Sequence, residues 1–261
     1  MIIDANTHIT KDGRWFHTDH DASLESLLLN VKESGIDKAI AVPLPGTIGN
    51  QEQADLIVGR HDQLISACTF NPADFDSPSE AGEAFRKEFS GMKKNLVKFH
   101  NRFGKYHPED ERFMEVLRVN DQMETPMLIG VCGLLHDRNT TSAVNTPAYF
   151  FDVAKKLECT DFIIMHGGGT QILSIAEICR DLHHVYFDLS MTLSKYRNTS
   201  VANDISWLCH HYDRRIIWAS DFPETSIKQA LQDFNETVGN LAKERRDNIL
   251  GNNIQKLLQI S

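Results

Sequence analysis

Four stretches of this chain carry side chains suited to acid–base or metal chemistry, and each lies at the end of an apolar run. Asp4, Asn6 and His8 follow the first run, and Lys98 and His100 close the run at 95–100. His166 ends the run at 161–166, and Asp221 follows the one at 215–220. Imidazoles and carboxylates exchange protons near neutral pH or bind divalent metals, and a lysine among them supplies positive charge. Lys98 and His100 alternate with Val97 and Phe99, so both polar groups share one strand face. An inward lysine is costly to bury without a partner, which favours a role at a site. His166 precedes Gly167, Gly168 and Gly169, which let a ligand approach the backbone closely. His183, His184, His210 and His211 fall at helix ends before strands and are expected to be solvated on the far rim. His17 and His20 belong to a long loop after the first run, and nothing in the sequence fixes them.

The elements that must hold these residues alternate from end to end. Apolar runs occupy 1–4, 38–44, 64–70, 95–100, 126–131, 161–166, 185–190 and 215–220, several of them continuous rather than alternating. Continuous runs are the mark of parallel strands buried on both faces. Helical patterns span 21–34, 108–125, 147–157, 171–182, 201–211, 224–238 and 245–258. In the first of these, Leu24, Leu27, Leu28 and Val31 share a face, and Gly35 supplies the stop. Eight βα units predict a single (β/α)8 TIM barrel over 1–261, one domain without a linker. An open doubly wound sheet uses the same alternation, but it has fewer strands and a glycine-rich loop after the first. Here the first strand runs into Ala5-Asn6-Thr7-His8. In a barrel, the carboxyl ends of the strands share one mouth, so the residues named above converge there.

The bulk numbers narrow the partners. The chain has 261 residues, 41% hydrophobic and 24% charged, with a formal net charge of -9, which suits a globular domain with a real core. The basic runs, Lys93-Lys94 and Arg245-Arg246, are short and flanked by acids, which argues against nucleic acid as a partner. Cys68, Cys132, Cys159, Cys179 and Cys209 are scattered and odd in number, as in a reduced, cytoplasmic protein. No basic leader and no run of membrane-spanning length is present, so no membrane partner is expected.

Taken together, the motifs resemble the amidohydrolase-related branch of the amidohydrolase superfamily. That branch includes aminocarboxymuconate-semialdehyde decarboxylase and the pyrone-dicarboxylate lactonase type. IDANTHI at 3–9 is similar to its I-D-x-H-x-H opening. VKFH at 97–100 with YHPED at 106–110 looks like its strand-4 segment, and FIIMHGGG at 162–169 its strand-6 His-Gly-Gly element. IIWASDFP at 216–223 resembles its strand-8 G-S-D-x-P, and NILGNNI at 248–254 its terminal helix start. The likeness runs in order along the whole chain and implies a metal-dependent-hydrolase-like barrel, commonly a homodimer.

The departures bear on mechanism. The resemblance implies two strand-1 histidines, a strand-5 histidine and a strand-8 aspartate around a divalent metal, with the strand-6 histidine, His166, as acid/base group. Here Asn6 stands at the first position and Gly130 near the third, leaving His8 and Asp221 as metal ligands. A catalytic zinc ordinarily needs about three protein ligands plus water. Cys132 and His136, just beyond Gly130, are poorly spaced as replacements. The expected cofactor is therefore none, or a weakly bound divalent metal such as zinc. The leading expectation is a hydrolase of a small, anionic carbonyl compound, a lactone or similar ester or amide. In it Asp221, His166 and Lys98 are catalytic, and His100, Asn6 and Gly167 bind substrate. A metal-assisted hydrolase or non-oxidative decarboxylase is the alternative, and a non-catalytic small-molecule-binding barrel the third reading.

Overall fold

The protein is described by a computed structural model covering residues 1–60, 62–135 and 146–260. Strand β1 (Ile3–Thr7) runs parallel to β2 (Lys38–Ala41), and β2 to the first half of β3 (Leu64–Ser66). The second half of β3 (Cys68–Thr69) continues the ladder to β4 (Leu96–Phe99), β5 (Leu128–Cys132) and β6 (Phe162–Met165). Then come β7 (Val185–Asp188) and β8 (Ile216–Ile217), again parallel. Ala67, between the halves of β3, donates its N–H to the Ala41 carbonyl at 2.9 Å, so the ladder is interrupted but not lost. The ring closes where β8 returns to β1. The Asp221 amide donates to Asn6 O at 3.0 Å and the His8 amide to Phe222 O at 2.8 Å, with a parallel bridge between Thr7 and Phe222. Eight parallel strands closed in this way form the (β/α)8 barrel that the alternation predicts.

The helices start and stop for local reasons. In α1 (Leu24–Ser34), Ser23 caps the Ser26 amide and Gly35 ends the helix at φ 70°. Besides short helical turns at Asn101–Gly104 and Thr192–Tyr196, two longer helices go unannounced by the apolar periodicity. One is α2 (Asn50–Leu56), short and polar, whose buried Gln53 donates to the carbonyls of Ala41 and Ala67. The other is α3 (Pro78–Phe89), begun by Ser77 and Pro78, whose packing face carries Ala81, Gly82, Phe85 and Phe89. Next, α4 (Glu111–Asp121) is capped by Asp110, and α5 (Thr146–Ala154) follows β5. The predicted helix at 171–182 forms only over α6 (Ile172–Ile178), because His166–Gln171 make a separate glycine-rich turn. α7 (Ser200–His211) and α8 (Ile227–Val238) match their expected positions closely. The tail is helical from Lys243 to Leu258 but passes through a π turn at Asn248–Asn252. There Gly251 lies against the Met1 carbonyl, with no space for a side chain.

Side chains fill the barrel in two layers. Ile3, Ala5, Ile40, Leu96 and Ile163 pack inside the strands, and Ile254, Leu257 and Leu258 of the tail join that cluster. A larger cluster lies between strands and helices. The apolar plug thus occupies one end of the tube, and Asn6, His8, Lys98, His166 and Asp221 gather toward the other. Among the described residues no helix is long and apolar enough to cross a membrane.

Candidate active site

The mouth gathers most of the residues singled out by the sequence. His8, Lys98, His100, His166 and Asp221 are each buried, none more than 6% exposed. Lys98 Nζ donates to Asn6 Oδ1 at 3.1 Å and lies 3.3 Å from His8 Nε2. His8 Nδ1 is 2.6 Å from the Val42 carbonyl, which only accepts, so Nδ1 carries the ring proton and Nε2 presents a lone pair. That nitrogen is also 3.4 Å from Asp221 Oδ1. The Asn6 amide group donates to Asp221 Oδ1 at 3.2 Å and to Ser190 Oγ at 3.0 Å. His166 Nδ1 faces Ser190, 3.0 Å from its Oγ and 3.2 Å from its carbonyl. His166 and Asp221 are held at φ 57° and 65°, a backbone region that residues with side chains seldom adopt.

Charges in this cluster depend on one another. Burial disfavours the protonated His166 ring, but the Asp221 carboxylate and Cys132 outweigh it and lift its pKa to about 9. Burial likewise opposes ionisation of Asp221, yet His166, His8 and Lys98 hold it well below the usual carboxylate range. His8 is lowered to about 4, by burial and then by the neighbouring Lys98 charge. Burial lowers Lys98, with Asp221, Cys132 and Asp188 opposing. Near neutrality the mouth therefore holds an imidazolium, a carboxylate and a neutral imidazole around one lysine.

Four further contributors are not among the site residues read from the sequence, where Cys132 figures only as a poorly spaced replacement ligand. Asp188 Oδ1 accepts the His166 amide at 2.9 Å and the Ser190 amide at 3.1 Å, and the Ser190 hydroxyl also donates to it. Asp188 and Ser190 lie in the seventh apolar run, so inspecting every strand end would have found them. Cys132 is buried at the end of β5, under the influence of the His100 and His166 rings. Burial raises its thiol, but those two rings prevail and bring it well below its ordinary value. Trp15 belongs to the loop after β1, which is stapled by Thr10 N to Ala22 O (3.0 Å) and Ala22 N to Gly13 O (2.9 Å). Its indole stacks on His8 with centroids 5.3 Å apart and donates to Glu224 Oε1 at 2.6 Å. Phe16 next to it stacks on Phe103, which packs against His100. The polar cluster is thereby roofed with aromatic rings. Beside this roof lies a groove of about 1020 Å³, lined among others by Leu44, Asn71, Phe103 and Lys105.

Other candidates stay apart. His17 and His20 are exposed, and His184 and His210 bond backbone carbonyls away from the mouth. Gly167 is buried at φ 56°, and a Cβ there would lie 2.6 Å from Ile172 Cδ1, so the absent side chain makes room for α6. Against a tight zinc site, Asn6 turns its N–H groups rather than its oxygen toward Asp221 and Ser190. Gly130 pairs with Lys98 across the ladder, and a Cβ on it would fall 2.6 Å from Met165 Cε. Among the described residues no group of three or more His, Cys, Asp or Glu is arranged to hold a metal ion. His136 lies outside the described residues. The groups present do not fit the expected ligand set.

Comparison with known proteins sharpens this picture. The amidohydrolase family profile matches residues 3–260. A search among curated proteins finds no significant match. An uncharacterised TIM-barrel protein from Bordetella bronchiseptica superposes with a TM-score of 0.79 at 14% identity, covering 99% of this chain and 98% of that one. An amidohydrolase from Burkholderia multivorans with bound zinc gives 0.70 at 13% identity, with full coverage of both chains. A probable 2-pyrone-4,6-dicarboxylic acid hydrolase from Acinetobacter baumannii, with citric acid bound, gives 0.63 at 16% identity and 99% coverage of each.

Proposed function

From the premise that the chain belongs to the amidohydrolase family, we propose that it hydrolyses a small anionic carbonyl compound, a lactone or similar ester or amide, by acid–base chemistry. The observation that carries this reading is the buried cluster in which Asp221 lies among His8, Asn6 and Lys98 and is held ionised by His166 and Lys98. Asp221 is the base. It takes a proton from water as the water oxygen bonds to the carbonyl carbon and the π electrons move onto the carbonyl oxygen. Lys98 and the protonated His166 offer positive charge to that oxyanion. Collapse expels the alkoxide, which takes its proton from His166, and for a lactone both products remain in one molecule. Asp221 is a weak base while both cations face it. Negative charge growing on the oxyanion offsets them, so its basicity rises as the reaction proceeds.

His100, beside the groove, is assigned to the substrate's anionic end. Asn6 spends its amide on Ser190, Asp221 and Lys98, so its role is to position those groups rather than to touch substrate. Two non-glycine residues at positive φ cost of order 1–3 kcal/mol each, which favours a working site over a retired one. The five cysteines are free, four of them buried, which supports a reducing compartment. The test is a lactone panel followed by proton release, on the native protein and Asp221→Asn. Loss of at least about a thousandfold in kcat/KM is expected on removing the base. Full turnover by Asp221→Asn would exclude this mechanism.

A further inference from the structure

Lys98 projects into a tube whose neighbouring layer is wholly apolar, yet it is only 1% exposed. An ammonium so placed must find acceptors, because it has three donors and no other source of stabilisation. Two uncharged acceptors are aimed at it. His8 Nε2, at 3.3 Å, is left with its lone pair because Nδ1–H is committed to Val42 O. Asn6 Oδ1, at 3.1 Å, is turned inward because the amide hydrogens go to Ser190 and Asp221. Asp221 supplies the countercharge, 3.4 Å from the same imidazole nitrogen. An imidazole, an amide oxygen and a carboxylate thus surround one positive centre carried by the chain itself. At the ladder position paired with Lys98, Gly130 offers no ligand, and a Cβ there would meet Met165 Cε at 2.6 Å and Leu96 Cδ1 at 3.1 Å, so a side chain enters only if those two shift.

We infer that the Lys98 ammonium is the resident cation of this site, standing where the family's ligand pattern would place a divalent metal, and that it excludes such a metal. The inference rests on the hydrolytic reading only for its chemical consequence: the electrophile is tethered and needs no loading. Its physical basis is independent of any substrate. A divalent ion bound to His8 and Asp221 would have to share a low-dielectric space with an ammonium, and like charges there repel strongly. Asn6 completes the arrangement, because a second imidazole at that position would lack the carbonyl-type oxygen that Lys98 uses.

The experiment is zinc binding, read without turnover. Metal content is measured on the native protein, followed by competitive titration against a chromogenic zinc chelator. The same titration is run on Asn6→His, on Lys98→Met and on the double variant. The native protein and Asn6→His are expected to hold less than about a tenth of an equivalent. Removing the ammonium in the double variant is expected to tighten zinc binding at least about 100-fold over Asn6→His, the scale on which polar neighbours alter metal affinity. Stoichiometric zinc in the native protein, or equal affinity in Asn6→His and the double variant, would overturn the inference. Should neither Lys98 variant fold, the other two proteins decide. Tight zinc in either overturns the assignment, and exclusion from both upholds it. Failure of Asp221→Asn to lose turnover would sink the hydrolase mechanism while leaving these titrations intact.

Discussion

Asp4→Asn is expected to make the protein's stability less dependent on pH. Asp4 is fully buried below Asn6, its Oδ1 accepting the amides of Asn6 (3.3 Å) and Ser220 (3.0 Å), while Oδ2 has no partner. Burial raises its pKa from 3.8 to about 7, against the lowering effect of the Ser220 and Asn6 hydrogen bonds. A carboxyl raised in the folded state contributes stability that is complete below its unfolded pKa and is lost as pH climbs through the folded value. Linkage between those two values gives a loss of about 2 kcal/mol by pH 5 and about 4 kcal/mol by pH 8.5. Asparagine keeps the accepting oxygen and never ionises, but it places a donor where Oδ2 had no partner, costing about 1–3 kcal/mol at every pH. That constant cost cancels when two pH values are compared. Urea unfolding at about pH 5 and about pH 8.5 should therefore show the native protein losing about 2–3 kcal/mol more than the variant across the interval. Parallel pH dependence in the two proteins would refute the buried, unpartnered state assigned to Asp4.

Other outcomes test neighbouring parts of the site. If protonated His166 is the acid, kcat should fall as pH rises through about 9, and a pH–rate profile of His166→Gln should lack that limb. A native profile flat to higher pH would remove His166 from the step. Trp15→Ala takes the stacked roof off His8 and is expected to destabilise by about 3–5 kcal/mol in chemical denaturation, as deletions of large buried aromatics do. An unchanged midpoint would mean that Trp15 does not cover the mouth. Gly133→Ala would put a methyl 2.4 Å from Met165 O and 2.6 Å from the Gly168 amide, both backbone atoms, so a loss of about 1–3 kcal/mol is expected, measured by thermal unfolding. A neutral substitution would show that β5 and the 166–169 turn are not in contact.

Much of the barrel is legible in the sequence because each parallel strand is a short apolar run whose next residues face the mouth. That logic found Asp4, His8, Lys98, His166 and Asp221. It passed over α2, a mostly polar seven-residue helix held by Gln53 reaching across to β2 and β3, a contact with no local periodicity. It placed Asn6 among the substrate contacts, since a type and a position do not show which way an amide faces. Ser190 ends the seventh apolar run and was open to the same logic, but its bonds to Asn6 and His166 form only when β7 lies beside β6 and β8 approaches β1. Trp15 sits in a loop whose sequence gives no sign that it folds back over His8.

The aromatic roof also makes the chain its own optical instrument. An indole stacked on imidazole emits differently according to the ring's protonation and its separation, and the chain has three tryptophans in all. Trp218 is sealed in the core, and Trp207 stands in an outer helix beside His211. Of the three, Trp15 alone stacks on a residue of the buried polar cluster, so a change in emission on mixing with candidate compounds would report a change at that stack in real time. Subtracting the signal of a Trp15→Phe protein would isolate that contribution, giving a label-free screen for ligands before any turnover assay exists.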